Sequence, residues 1–189
     1  MPRGAAGFEP VTEASAPASE SWRPSRLRTM WLMLAAVTAP VLILDQASKF
    51  YVATHLQLYQ SIPIIQHFLD ITYTRNPGAA FSLFANLPAQ VRESFLFVIT
   101  AIALVVLIVL MARAEKPSWQ TAAFALITGG ALGNLIDRSR NGVVIDFIHV
   151  HYYGWSYPVF NVADSAITIG VAILLLETLA DSGASQRVG

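Results

Sequence analysis

The last apolar run of the chain reads Val159-Phe160-Asn161-Val162-Ala163-Asp164-Ser165-Ala166-Ile167-Thr168-Ile169-Gly170-Val171-Ala172-Ile173-Leu174-Leu175-Leu176-Glu177-Thr178-Leu179. It is long enough to cross the hydrocarbon core of a membrane as a helix. A carboxylate at Asp164 is expensive in that setting and calls for a reason. In a helix, Asn161 and Asp164 share a face, and Ser165 and Thr168 extend the polar stripe.

Three more apolar runs precede it, about 30–50, 94–111 and 119–137. They predict an α-helical integral membrane protein with four transmembrane helices, the fourth spanning about 159–179. Composition agrees: of 189 residues 54% are hydrophobic and 13% charged, too apolar and charge-poor for an ordinary soluble domain. Lys+Arg and Asp+Glu both number 12, a balance that offers no basic surface to a nucleic acid. With no cysteine there is no disulfide framework, thiolate zinc site or cysteine nucleophile.

Residues 1–28 are rich in Ala, Pro, Ser, Glu and Arg and are expected to form a disordered cytoplasmic tail ahead of a membrane domain at 29–180. Arg23, Arg26 and Arg28 before an apolar run also suit a cleaved signal peptide. The late start of that run and the polar Asp45-Gln46 at its end argue against cleavage. Pro40 is expected to kink the first helix. Together with Arg113, Lys116 and Arg187, these basic residues place both termini, including a tail at 181–189, in the cytoplasm. Arg138 and Arg140 fall on the outer side, which marks them for a specific task.

That topology gathers Asp45, Lys49, Asn134, Asp137, Asn161 and Asp164 on one side of the membrane. Two outer segments, 52–92 and 139–158, join the spans there. Phe68 to Arg75 and Gly142 to Val150 read as strands, Asn76-Pro77-Gly78 as a turn, and Ala79 to Phe84 as a short surface helix. The aromatic loop His151-Tyr152-Tyr153-Gly154-Trp155 suits the membrane interface.

Asp45 and Lys49, four apart with the acid first, form a favourable helical ion pair and read as a structural clasp. Ser48 beside Lys49 is a weak catalytic dyad, because adjacent helical residues point apart. Gly129 and Gly133 form a small-xxx-small seam for close helix approach. Asn134 and Asp137, on the same helix, read as scaffold that satisfies backbone groups or pairs with Arg138. A metal site from Asp146, His149 and His151 is disfavoured, because alternation along a strand puts Asp146 on the opposite face. No metal and no cofactor are expected. Asp146 and Asp164, from separate elements, can instead face each other, share a proton and hydrolyse an amide with water. Residue types alone leave a proton relay in a transporter open. The crowding of polar residues on one side, without an internal repeat, favours the enzyme.

Five segments, in this order, carry a resemblance. They are Asp45-Gln46-Ala47-Ser48-Lys49, Asn76-Pro77-Gly78-Ala79-Ala80-Phe81, Gly130 through Arg138, Val144-Ile145-Asp146-Phe147 and Phe160-Asn161-Val162-Ala163-Asp164. Over about Met30 to Thr178 the chain resembles the bacterial lipoprotein signal peptidases, or signal peptidase II, a family of intramembrane aspartyl proteases. The resemblance implies catalytic roles for Asp146 and Asp164. It implies binding or supporting roles for Asp45, Asn76, Gly78, Asn134, Asp137, Arg138 and Asn161, to which the clasp adds Lys49. It further implies cleavage before the diacylglyceryl-modified cysteine of a prolipoprotein at the outer face of the bacterial cytoplasmic membrane. A small extracytoplasmic β-cradle from the first outer segment and inhibition by globomycin are also implied. The expected partners are the lipid-modified prolipoprotein and membrane lipid, with the enzyme acting as a monomer.

Overall fold

The computed structural model describes residues 24–78 and 88–185. Residues 1–23, the stretch expected to hold the Ala79 to Phe84 helix, and the last four residues lie outside the described residues.

The first helix starts earlier than the apolar run, at Pro24. It passes from α1 (Pro24–Met33) through a π-helical stretch (Leu34–Thr38) into α2 (Ala39–His55). The π-turn explains how Pro40 is accommodated. Pro40 directly follows that π-turn, in which the Ala39 N–H reaches back five residues to Leu34 O. Thr38 Oγ1 donates to Ala125 O at 2.8 Å, tying this irregular turn to a neighbouring helix.

The other long helices are α3 (Ala89–Arg113), α4 (Trp119–Asn141) and α5 (Val162–Ser185). The helices outrun their apolar runs, because residues such as Arg92, Glu93 and Arg138 end a hydrophobic pattern without ending a helix. Among the described residues three helices, Arg26–His55, Gln90–Arg113 and Val162–Ala180, are long and apolar enough to cross a membrane. Their outward faces are apolar, for example Ile43, Leu44, Val98, Ile102, Val105, Leu175 and Leu179. α4 is different. It packs against α5, α3, α2 and the π-turn, and its small and polar residues, including Thr128, Gly129, Gly130, Gly133 and Asn134, are buried. Enclosure by protein, in place of lipid, is why its sequence is less apolar.

Gly129 and Gly133 both face α2, where a Cβ would meet Val41 and the Asp45 carboxylate respectively. Gly130 faces the Ala163 carbonyl of α5. Hence Gly133→Ala forces Asp45 aside, and a loss of about 1–3 kcal/mol is expected in thermal or denaturant unfolding in detergent.

A four-stranded antiparallel sheet runs β1 (Ser61–Ile65), β2 (Leu69–Asn76), β3 (Val144–Tyr152) and β4 (Trp155–Ser156) in spatial order. Its strands come from both outer segments, not from the first alone. β1 was hidden by Pro63, which removes a ladder donor and is tolerated because β1 is an edge. The aromatic loop is a hairpin, with His151 and Tyr152 paired to Ser156 and Trp155. Val52, Leu56, Tyr73, Ile145 and Phe147 form one core cluster, which seats the sheet on the end of α2. A second, around Met30, Leu107, Met111 and Phe124, joins α1, α3 and α4 at the opposite end of the bundle.

Candidate active site

α5 begins with a capping box. The Asn161 side chain accepts from Asp164 N at 2.9 Å, while Asp164 Oδ2 accepts from Asn161 N at 3.2 Å. This pairing, in which Asp takes the place more often held by Glu, gives the Asn-x-x-Asp spacing its local reason and holds the Asp164 side chain still. Its other oxygen, Oδ1, accepts from Asn134 Nδ2 at 2.8 Å.

Phe160 bridges to β3: Phe147 N and Ile148 N both donate to Phe160 O, and Phe160 N donates to Ile148 O. These bonds fix the start of α5 against the strand that carries Asp146. Asn161 then serves both aspartates, because its Nδ2 donates to Asp146 Oδ1 at 2.7 Å. Asp146 Oδ2 accepts from Asn76 Nδ2 at 3.0 Å, across the β2–β3 ladder. Asn76 in turn takes the Gly78 N–H on its side-chain oxygen at 2.9 Å, closing a turn in which Gly78 has φ +92°. A non-glycine residue is strained at that φ.

Beneath the pair lies a charged layer. Lys49, 2% exposed, places Nζ 2.9 Å from each of Asp45 Oδ2, Asp137 Oδ2 and Asn134 Oδ1. Its three donors are thereby used. Asp45 Oδ1 accepts from Ala163 N at 2.9 Å, so its negative charge also sits at the N-terminus of α5. Asp137 Oδ2 accepts from Ile145 N at 3.1 Å. The clasp expected between Asp45 and Lys49 is present; Asp137 satisfies a backbone group, as one of its two expected roles had it, but its ion-pair partner is Lys49 and not Arg138. Arg138 lies where its charge acts on Asp164, Asp146 and Asp137, and it lines a cavity of 330 Å³ with Glu93, Ser94, Phe97 and Val98. Ser48 Oγ donates to the Asp45 carbonyl and takes no part in a Ser-Lys dyad.

All ten residues singled out from the sequence thus fall in one region. Gln46 was missed: its amide donates to Asp45, Asp137 and the Gly133 carbonyl, stitching α2 to α4. Its place in the Asp45-Gln46-Ala47-Ser48-Lys49 segment was the available signal.

Asp146 is 2% exposed. Its pKa is raised to about 7, first by burial and then by the negative charge of Asp164; hydrogen bonds from Asn76 and Asn161 and the charge of Lys49 oppose the rise. Asp164 is only partly buried. It opens on a cleft of 300 Å³ that Tyr157, Phe160, Ser165, Thr168 and Ile169 also line. One carboxyl is therefore enclosed and the other reachable, an arrangement suited to water-mediated hydrolysis.

The family model described as Signal peptidase (SPase) II matches residues 37–180. The chain belongs to the signal peptidase II family. It is accordingly an aspartic peptidase, and the matched region contains every site residue above. Its relatives in this family include the lipoprotein signal peptidase of Syntrophus aciditrophicus (strain SB), 44% identical over 150 residues, covering 78% of this chain and 93% of that one. Another is the lipoprotein signal peptidase of Photorhabdus laumondii subsp. laumondii, 42% identical over 152 residues, covering 80% and 87%. A solved structure described as a bacterial membrane enzyme, determined by the in meso method at 2.3 Å resolution, is similar at 36% identity with a TM-score of 0.70. It covers 82% of this chain and 90% of that one. A second, at 1.9 Å resolution, has a TM-score of 0.69 with coverage of 82% and 95%. Family membership and the three long apolar helices make this a multi-pass membrane peptidase.

Proposed function

We propose that this signal peptidase II family member removes signal peptides from lipid-modified prolipoproteins, cleaving before the diacylglyceryl cysteine with Asp146 and Asp164 as its catalytic pair. The observation that carries this reading is the bridging of the two carboxylates by Asn161 at the mouth of an apolar cleft. In this mechanism Asp146, enclosed and of raised pKa, is the acid, and Asp164, which opens on the cleft, is the base. Asp164 takes a proton from water as the water oxygen bonds to the scissile carbonyl carbon, and Asp146 gives its proton to the carbonyl oxygen. In the collapse, the C–N bond breaks, Asp164 protonates the leaving nitrogen, and the hydroxyl of the intermediate returns a proton to Asp146. No metal enters these steps. Arg138, Asn134 and the Lys49 layer hold the pair in register.

The substrate is a helix with its lipid anchor at one end, so it reaches the cleft laterally, at the depth where a signal helix ends. The basic residues flanking the spans support cytoplasmic termini and a site near the outer face. Binding of globomycin at the same cleft and action as a monomer belong to this reading.

A gel-shift assay with a lipidated prolipoprotein and its unlipidated form tests it. Cleavage of the lipidated form alone, persisting with a metal chelator, is expected; efficient cleavage of the unlipidated form overturns the substrate assignment, and loss under chelation overturns the mechanism.

The raised Asp146 pKa also predicts a pH dependence. An unfolded Asp titrates near 3.9, and the folded group near 7. Its contribution to stability is therefore fully present below about pH 4 and lost as pH rises through 7. The rate follows the same proton: a pH–rate profile is expected to show an alkaline limb near pH 7 as the general acid is lost. A profile flat from pH 6 to about 9 would remove Asp146 from that role.

A further inference from the structure

Across the sheet from the catalytic pair lies a group of ligand atoms from Asp70, His149 and His151, all within 4.8 Å of one another. His149 and His151 lie two apart on β3 and share a face, opposite to Asp146. The β2–β3 register sets Asp70 directly opposite His149. An irregularity between Ile71 and Thr74 flips β2, so Asp70 joins the histidines while Thr74 and Asn76 face the Asp146 side. The third ligand absent from β3 thus arrives from β2.

We propose that Asp70, His149 and His151 form a binding site for a divalent transition metal ion of the zinc class, a clip joining β2 to β3 that takes no part in hydrolysis. Three observations carry it. His151 Nε2 is shielded from solvent and has no hydrogen-bond partner. It nevertheless lies 3.2 Å from Asp70 Oδ2, in an approach without hydrogen-bond geometry. Two ligands about 2.0–2.1 Å from a tetrahedral zinc stand roughly 3.3 Å apart, so this spacing fits an edge of that polyhedron. The remaining ligands are held from the flanking strands: Ser61 Oγ of β1 donates to Asp70 Oδ2 at 3.2 Å, and Ser156 Oγ of β4 lies 2.8 Å from His149 Nε2. Partners of this kind orient ligands in metal sites. Two imidazoles and a carboxylate, without sulfur, favour zinc, nickel or copper over calcium or magnesium.

The full chain in detergent, stripped with a chelator, is titrated with ZnCl₂ by calorimetry, and separately with CoCl₂ while following visible absorption. One saturable equivalent of zinc, cobalt bands of low-symmetry four-coordination, and a higher unfolding temperature with zinc are expected. His149→Ala and His151→Ala are each expected to weaken binding by about tenfold or more, and the near-isosteric Asp70→Asn likewise. His55→Ala and His67→Ala leave it unchanged. Prolipoprotein cleavage by the metal-free variants, equal to that of the parent, shows that they are folded. Absence of saturable zinc binding, or binding that survives in all three ligand variants, overturns the proposal.

Discussion

Asp164→Asn and Asp146→Asn are each expected to reduce prolipoprotein cleavage by about 10²–10⁴-fold, because an amide neither takes the proton from water nor supplies one to the carbonyl oxygen. The two losses should not add in the double variant, since the residues act as one unit. The structure also sets a stability cost. Asp146 accepts from two amides, Asn76 on one oxygen and Asn161 on the other. An amide at 146 turns one of these contacts into donor against donor. At 164 the choice is between facing Asn134 Nδ2 and closing the capping box with Asn161 N. A destabilisation of about 1–3 kcal/mol is expected for each. Single-turnover cleavage at a temperature where both variants elute as folded protein separates chemistry from stability. An Asp164→Asn enzyme of undiminished rate would remove the pair as the catalytic machinery.

Lys49→Met is expected to be the most destabilising single substitution in the polar layer, by about 3–5 kcal/mol. Lys49 is the cation between Asp45 and Asp137, both buried, and its removal leaves two carboxylates uncompensated. The damage reaches the site by two routes. Asp45 caps the start of α5 through Ala163 N, and Asp137 holds β3 through Ile145 N, so the elements that carry Asp164 and Asp146 each lose an anchor. A lower unfolding temperature together with reduced cleavage should be seen. Partial recovery in the triple variant Lys49→Met with Asp45→Asn and Asp137→Asn would show that buried charge, more than lost packing, causes the defect. A Lys49→Met protein as stable and active as the parent would show the layer to be dispensable.

The spans were legible because lipid imposes a simple demand: a helix facing it must be apolar for about 20 residues. α1–α2, α3 and α5 obey it. α4 was found by length and a small-residue pattern, although its polar residues answer to protein neighbours instead of lipid. Strand boundaries were near, but β1 and β4 were not seen, since Pro63 and the two-residue Trp155–Ser156 strand carry almost no alternation to read. Both exist because β2 and β3 offer them ladders from other parts of the chain.

From its sequence alone this protein is a helical membrane peptidase with Asp146 and Asp164 as its notable carboxylates. Apolar run length and the order of five motifs are local properties, and a linear reading recovers them. Who holds whom was decided only by the fold. Asn161 caps its own helix and reaches Asp146, Lys49 unites Asp45 with Asp137, and Asp70 meets two histidines some 80 positions away through a bulged ladder. Each of these depends on the rotation of one element against another. Burial and register set that rotation, and no spacing within a single segment encodes it.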